Sequence, residues 1–308
     1  MKSKRVVAAG LLALLLVGCA GPQRRGSQYD LGLYLKQQGK ADEAMEAFKG
    51  SIALDPEDPT PREALAALYF ERGWKAQAMQ EWENAYAKSS DDPAWYVQEG
   101  KPQRSSAWIA DGVDSRKRAV EALVKLYLAD GAEATKGARW NDAATAYKRV
   151  TELSTDDAVA WPGWAKAAKK LKDAPVAYAA WKRSAELSPK DADTSKELGY
   201  AAYGLQKLNE AEAAFRRYTV LKPDDPKGYN NQGTVLAELG KFDESHASFD
   251  KALQIEKDML PALNGKGTAY YNQKRYDEAR KMWAHVLELS PDDPVAKENI
   301  RTLVKMGY

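Results

Sequence analysis

The apolar positions of this chain repeat. Between Gly32 and Pro56 they trace one helical segment with a small residue, a Gly39-Lys40 turn, and a second helical segment. The second segment carries a small–aromatic pair four residues apart, Ala44 and Phe48, and Pro56 closes the pattern. Variants recur about every 34 residues, the period of a helix–turn–helix array. Residues 59–92 offer Leu65, Tyr69, Gly73, Ala78, Trp82 and Ala85. Residues 124–157 keep Gly131, Ala143 and Tyr147 without the proline, and 158–191 carry Trp161, Ala177, Trp181 and Pro189. Then follow Leu198, Gly199, Ala211, Phe215 and Pro223 in 192–225, and Tyr229, Gly233, Gly240, Ser245, Phe249 and Ala252 in 226–259. The last repeat, 260–293, has Gly267, Tyr270, Ala279, Trp283 and Pro291. A final amphipathic helix in 294–308 covers the open end, as the terminal element of a stack must.

The register breaks once. Residues 93–123 contain Gly100, Pro102 and Gly112, and a helical pattern resumes only near Ser115. This stretch reads as an irregular insertion or a degenerate repeat. Trp95, Tyr96 and Trp108 argue against a disordered linker, because such segments are poor in aromatics.

The motif residues have a packing role. Small residues let paired helices approach, aromatics fill the space between repeats, and no repeat buries its apolar face alone. The pattern W-x2-L-G-x2-Y, A-x3-F, P is similar to that of the tetratricopeptide repeat family. The resemblance covers residues 25–92 as two repeats and 124–293 as five more. It implies an all-α, right-handed superhelical solenoid. It also implies a concave groove lined by the first helix of each repeat, where a protein or peptide partner binds. The residues at the implied groove positions are Lys166, Lys169 and Lys170 in the fourth repeat and Lys196, Tyr200 and Tyr203 in the fifth. Lys227, Asn230, Asn231 and Thr234 follow in the sixth, and Asn264, Thr268, Tyr271 and Asn272 in the seventh. Asn offers both a donor and an acceptor to a peptide backbone, and Tyr adds rigid apolar area with a polar tip. The plain alternative is a set of solvated helix faces. Gly265 stands where the family's grip on a terminal carboxylate calls for a basic residue, so a C-terminal carboxylate ligand is not expected.

The N-terminus has a different composition. Lys2, Lys4 and Arg5 precede an apolar run, Val6 to Val17, too short to span a bilayer. The run ends in Leu16-Val17-Gly18-Cys19, and Cys19 is the only cysteine. This resembles the lipobox of bacterial lipoprotein signal peptides. The resemblance implies that 1–18 are removed and Cys19 is lipidated, with 19–27 as a tether. Ala20 in place of Asp implies the periplasmic face of the outer membrane. An ordinary signal peptide with an incidental cysteine is the alternative.

Charge and chemistry narrow the classes. Formal net charge is +2, and loss of Lys2, Lys4 and Arg5 leaves 43 basic against 44 acidic side chains. Such a balance supplies no field for nucleic acid. His246 and His285 lack metal-ligand neighbours at usable spacing, and no catalytic motif occurs. Acidic runs such as Asp224-Asp225 and Asp292-Asp293 sit between repeats, where they cap helices. Enzyme activity, a cofactor and a metal are therefore not expected. The expected function is an anchored scaffold or assembly lipoprotein, similar to those of type IV pilus, secretin or gliding-motility machines. One alternative is an adaptor for peptidoglycan hydrolases or polysaccharide export. Another is a carbohydrate-binding protein, which requires Trp95, Trp108 and Trp140 to be clustered and solvent-facing.

Overall fold

The computed structural model describes residues 26–97 and 105–308, so Cys19 and the apolar run before it lie outside the described residues. Within these limits the chain forms fifteen α-helices and one 3-10 turn, and no strand. They are α1 (Gly26–Gln37), α2 (Ala41–Leu54), α3 (Pro59–Glu71) and α4 (Lys75–Ala87), the 3-10 turn Pro93–Val97, and a long α5 (Ser106–Lys136). Next come α6 (Trp140–Leu153), α7 (Ala160–Lys170), α8 (Ala174–Leu187), α9 (Ala192–Gly204), α10 (Leu208–Leu221) and α11 (Pro226–Glu238). The chain ends with α12 (Phe242–Ile255), α13 (Leu260–Asn272), α14 (Tyr276–Leu289) and α15 (Pro294–Lys305). Two compact units divide within α5, at Leu126 and Tyr127. None of the described helices is long and apolar enough to cross a membrane.

The 34-residue period is visible in the backbone. The turn from first to second helix places one residue at positive φ at Gly39 and Gly73, then at Ala138, Lys172, Gln206, Gly240 and Lys274. Within each series the interval is 34, whereas Gly73 and Ala138 lie 65 apart. The turn from second to first helix is closed by aspartate. Asp58, Asp191 and Asp225 each accept from the backbone N–H two residues on, at 3.0 Å. Asp293 accepts from the third, at 2.8 Å, and Asp173 does the same at 3.2 Å at the start of a second helix, α8. Each cap satisfies an N–H that the helix itself leaves unpaired, worth about 1 kcal/mol. The acidic runs are thus helix starts.

Packing follows the small–aromatic pattern. Phe249 lies between its own first helix and the next, where a Cβ on Gly233 would meet its ring at 3.0 Å and one on Gly265 at 2.7 Å. Tyr147 fills the same slot between Gly131 and Gly163. In the second unit, Phe215 joins Ala202, Ala211 and Val235, and Trp283 joins Leu263, Ala279 and Val286. Ala296 and Leu303 of α15 complete the Trp283 cluster, so α15 seals the last repeat.

The described residues of the break, 93–97 and 105–123, are structured. Helix α5 begins at Ser106, nine residues before the point where the sequence pattern resumes, and continues without interruption to Lys136. Within the first unit, its early turns dock on the end of α4. Arg116 Nη1 donates to the carbonyls of Tyr86 and Ser89, both at 2.9 Å. The guanidinium carbon also lies 4.0 Å from the centre of the Tyr86 ring. Tyr96 is buried, accepts from the Ser90 N–H at 2.9 Å, and meets Trp108 edge-on at 5.5 Å. A side chain at Gly112 would press on the Tyr96 ring at 3.1 to 3.2 Å.

Candidate partner-binding groove

The first helices of the second unit, α7, α9, α11 and α13, carry the predicted groove residues. These side chains meet across repeat boundaries. Lys169 pairs with Glu197 between α7 and α9, at 2.5 Å. Between α9 and α11, Asn231 Nδ2 donates to the Tyr200 hydroxyl at 2.8 Å, and the Tyr203 hydroxyl donates to Glu238. Further along, Asn264 Nδ2 donates to Asp293 Oδ1 at 3.3 Å, and the Tyr271 hydroxyl reaches Met306 Sδ at 3.5 Å. The result is a line of polar and aromatic contacts running along the first helices.

Individual residues differ in what they leave available. Tyr200 is exposed at 41%, with its ring edge-on to Phe215 at 5.3 Å. Lys227, Thr268 and Asn272 are exposed, while Tyr203, Asn231, Thr234 and Tyr271 are half-buried. The Thr234 and Thr268 hydroxyls are turned back onto the carbonyls of Asn230 and Asn264, both at 3.0 Å. Lys196 pairs with Asp193 at 2.7 Å and lies over the Tyr218 ring, and that carboxylate raises its pKa. The Glu238 carboxylate pushes the Tyr203 phenol up to about 12, with burial adding to the effect. Tyr203 therefore remains a donor throughout the neutral range.

Asn230 and Asn264 stand one 34-residue period apart, and both are half-buried. Asn264 gives its amide N–H to Asp293, which fixes the amide orientation, since a carboxylate only accepts. Asn230 Nδ2 makes only a long contact, 3.5 Å, with Asn231 Oδ1. The Oδ1 atoms of both residues are buried and have no partner. Two acceptors in register are thus unsatisfied, each at a cost of about 1–3 kcal/mol.

Other predicted positions are absorbed by local structure. In the fourth repeat, Lys170 lies 5.7 Å from the centre of the Trp140 ring, and Lys169 is paired as above. Lys166 lines a cavity of about 170 Å³ with Trp181, Asp193 and Glu197. Gly265 has no room for the basic side chain of a carboxylate grip, because Phe249 fills that space. None of Trp95, Trp108 and Trp140 is fully solvent-facing, as stacking on a sugar requires. Trp108 is buried and Trp95 is half-buried, edge-on to Tyr96 at 4.9 Å. Trp140, also half-buried, belongs to the second unit. Among the described residues no group of His, Cys, Asp and Glu is arranged to hold a metal ion. His246 stacks on Tyr270 at 4.1 Å and faces Gln273 Oε1 at 3.3 Å from Nε2. Burial, with Lys266 and Arg275 nearby, lowers its pKa.

Sequence reasoning missed the acceptors that complete the line, Glu197, Glu238 and Asp293. Their signal was spacing: each lies 28, 35 or 29 residues after its donor, close to one period.

Models of the tetratricopeptide repeat match residues 29–93 and 163–226, and a second such model matches 236–298. Together they cover more than half of the chain. No curated protein matches it. A solved structure described as YrrB, a TPR protein with an unusual peptide-binding site, is similar with TM-score 0.54 and 18% identity over 57% of this chain and 90% of that one. A MamA protein is similar with TM-score 0.50 and 22% identity, over 54% and 91%. MamA from Desulfovibrio magneticus RS-1 gives 0.50 and 15%, over 56% and 97%. At these identities the likeness establishes the fold.

Proposed function

Because the chain belongs to the tetratricopeptide repeat family, we propose that it is a scaffold or assembly lipoprotein whose second unit grips an extended polypeptide along its first helices. The observation that carries this reading is the pair of orphaned acceptors on Asn230 and Asn264, one period apart on adjacent first helices. An extended strand presents backbone N–H groups along its length, and one that reaches each Oδ1 supplies the donor that it lacks. Tyr200, Tyr203 and Tyr271 flank the pair with apolar area, and Lys196, Lys227, Thr234, Thr268 and Asn272 complete the surface. The YrrB neighbour, described as having a peptide-binding site, is in keeping with this use of the fold.

The location rests on the N-terminal sequence. Lys2 to Val17 followed by Cys19 supports a lipid anchor, and Ala20 supports the outer membrane. Several acyl chains on one cysteine hold a protein on a bilayer far better than one. Anchoring raises local concentration, so modest groove affinity suffices. A client within an envelope machine of the pilus, secretin or gliding-motility type fits that setting. An adaptor for peptidoglycan hydrolases or polysaccharide export uses the same groove.

Residues 93–123 are read as an eroded repeat. Gly112 and Arg116 stand 34 residues after Ala78 and Trp82, so Arg116 occupies the place of the aromatic.

The test is co-purification after cross-linking of the full chain in membranes. Wild type is expected to recover a defined protein partner, and Asn230→Ala with Asn264→Ala to lose it. Recovery of the chain and lipids alone contradicts the proposal. Labelled palmitate is expected on wild type and absent from Cys19→Ala.

A further inference from the structure

Helix α15 closes the last repeat with one side, yet it has the register of a first helix. Helices α11, α13 and α15 begin at Pro226, Leu260 and Pro294, 34 residues apart. Thr234, Thr268 and Thr302 stand at the same interval. Each hydroxyl donates to the carbonyl four residues earlier, at 3.0, 3.0 and 2.9 Å. Thr234 and Thr268 belong to the groove face, so Thr302 continues that column onto α15.

A second relation repeats with a change of chemistry. At the α9–α11 junction the Tyr203 hydroxyl donates to Glu238, 35 residues on. At the α13–α15 junction the Tyr271 hydroxyl reaches Met306, also 35 residues on, with Sδ at 3.5 Å. A thioether thus stands where the earlier junction has a carboxylate. Its sulfur is a weak acceptor on a flexible, polarisable chain, so this junction presents apolar surface instead of charge. Aromatic rings extend that surface. Tyr271 lies 5.5 Å from Tyr276 and 6.1 Å from Trp283, and Tyr276 lies 4.3 Å from Tyr308, between ring centres. Met306 and Tyr308 are 43% and 51% exposed. The patch is continuous with the groove, because Trp283 Nε1 donates to the carbonyl of Asn264 at 3.4 Å and its ring adjoins Tyr271.

We propose that the groove extends onto α15 and ends in a seat for an apolar side chain of the bound polypeptide, an aromatic or aliphatic residue held by Tyr271, Met306 and Tyr308. This rests on the reading of the first-helix face as a polypeptide groove, and it names a residue class that the polypeptide carries. Asn230 and Asn264 meet backbone N–H groups, which almost every sequence offers, so they grip without selecting. The seat selects. Methionine adapts to the shape of what enters, and the tyrosines add rigid apolar area beside it.

The test selects a display library of unstructured peptides on the full chain in a Cys19→Ala background. Peptides whose retention is lost in Asn230→Ala with Asn264→Ala are expected to share an aromatic or aliphatic residue toward one end. For such a peptide, Met306→Glu with Tyr308→Ser weakens binding about fivefold, read by fluorescence anisotropy. Met306→Leu keeps the apolar surface and leaves affinity unchanged. So does Val220→Ser, which removes an exposed apolar side chain on α10. Peptides that need the two asparagines but share no apolar residue, or that ignore Met306→Glu with Tyr308→Ser, overturn the seat and leave the groove standing. Recovery of no asparagine-dependent peptide overturns both. Self-association in sedimentation that Met306→Glu with Tyr308→Ser abolishes also overturns the seat, because a second copy is then its occupant.

Discussion

Replacing Arg116 by alanine asks whether the break in the repeat is a folded part of the first unit or a passive connection. The side chain is 16% exposed, and its Nη1 holds two carbonyls at the frayed end of α4 at 2.9 Å. It also pairs with Asp91 at 3.2 Å and covers the Tyr86 ring. A helix end leaves its last carbonyls without intrahelical partners, so the guanidinium does the work of a C-terminal cap. Hydrogen bonds from a charged donor contribute about 1.5–3 kcal/mol each, and the cation over the ring about 0.5–1. Water reaches the exposed side of the site once the side chain is removed and recovers part of that sum. We expect Arg116→Ala to destabilise the first unit by about 2–4 kcal/mol. Arg116→Lys keeps the charge without the planar fork and is expected to fall midway. Urea unfolding followed by tryptophan emission measures the loss. Hydrogen exchange at residues 84–97 assigns it to this site, which matters because a chain of two compact units need not unfold in one step. A change under about 0.5 kcal/mol with unaltered exchange at Tyr86 and Tyr96 refutes the reasoning.

Other expectations concern the second unit. Phe249→Ala empties the slot between Gly233 and Gly265 and should cost about 3–5 kcal/mol in chemical denaturation, since the ring is fully buried. Gly265→Val drives a side chain into the same ring, and about 1–3 kcal/mol of overpacking should appear in the same assay. His246 has a pKa below its ordinary 6.5, so the unfolded chain binds its proton first on acidification. Its stabilising contribution is complete above pH 6.5 and is lost as pH falls through the lowered value. The melting temperature should therefore drop between pH 7 and pH 5, and His246→Gln should flatten that part of the profile. Lys266, Arg275 and Asp250 face the ring and are unchanged in that variant.

The architecture was legible because its causes are local. A glycine or alanine opposite an aromatic, an aspartate before a proline, and a turn every 34 residues are all short-range patterns, and each is present in the structure. The long α5 was not legible. Its continuity depends on a missing turn, and helical periodicity between Ser106 and Ser115 is weak until Arg116 and Tyr96 dock it on α4. The groove was legible only in part. Position in the repeat singled out Asn231 and Tyr200. It did not show that they bond to each other, or that Lys169, Lys196 and Tyr203 spend their polar groups on neighbours. Such pairings depend on the rise from one repeat to the next, a property of the stack. Burial of Trp108 likewise follows from tertiary contact with Tyr96, and composition alone gave it no direction.

The central claim is that the first-helix face of the second unit holds a polypeptide. Site-specific photo-crosslinkers placed singly at Tyr200, Thr268 and Asn272 on that face, and at Asp250 and Lys251 on exposed positions of α12, test it in intact cells. Groove positions are expected to give discrete protein adducts that Asn230→Ala with Asn264→Ala removes, and the α12 positions none. Equal adducts from both faces, or groove adducts indifferent to the two asparagines, contradict the account.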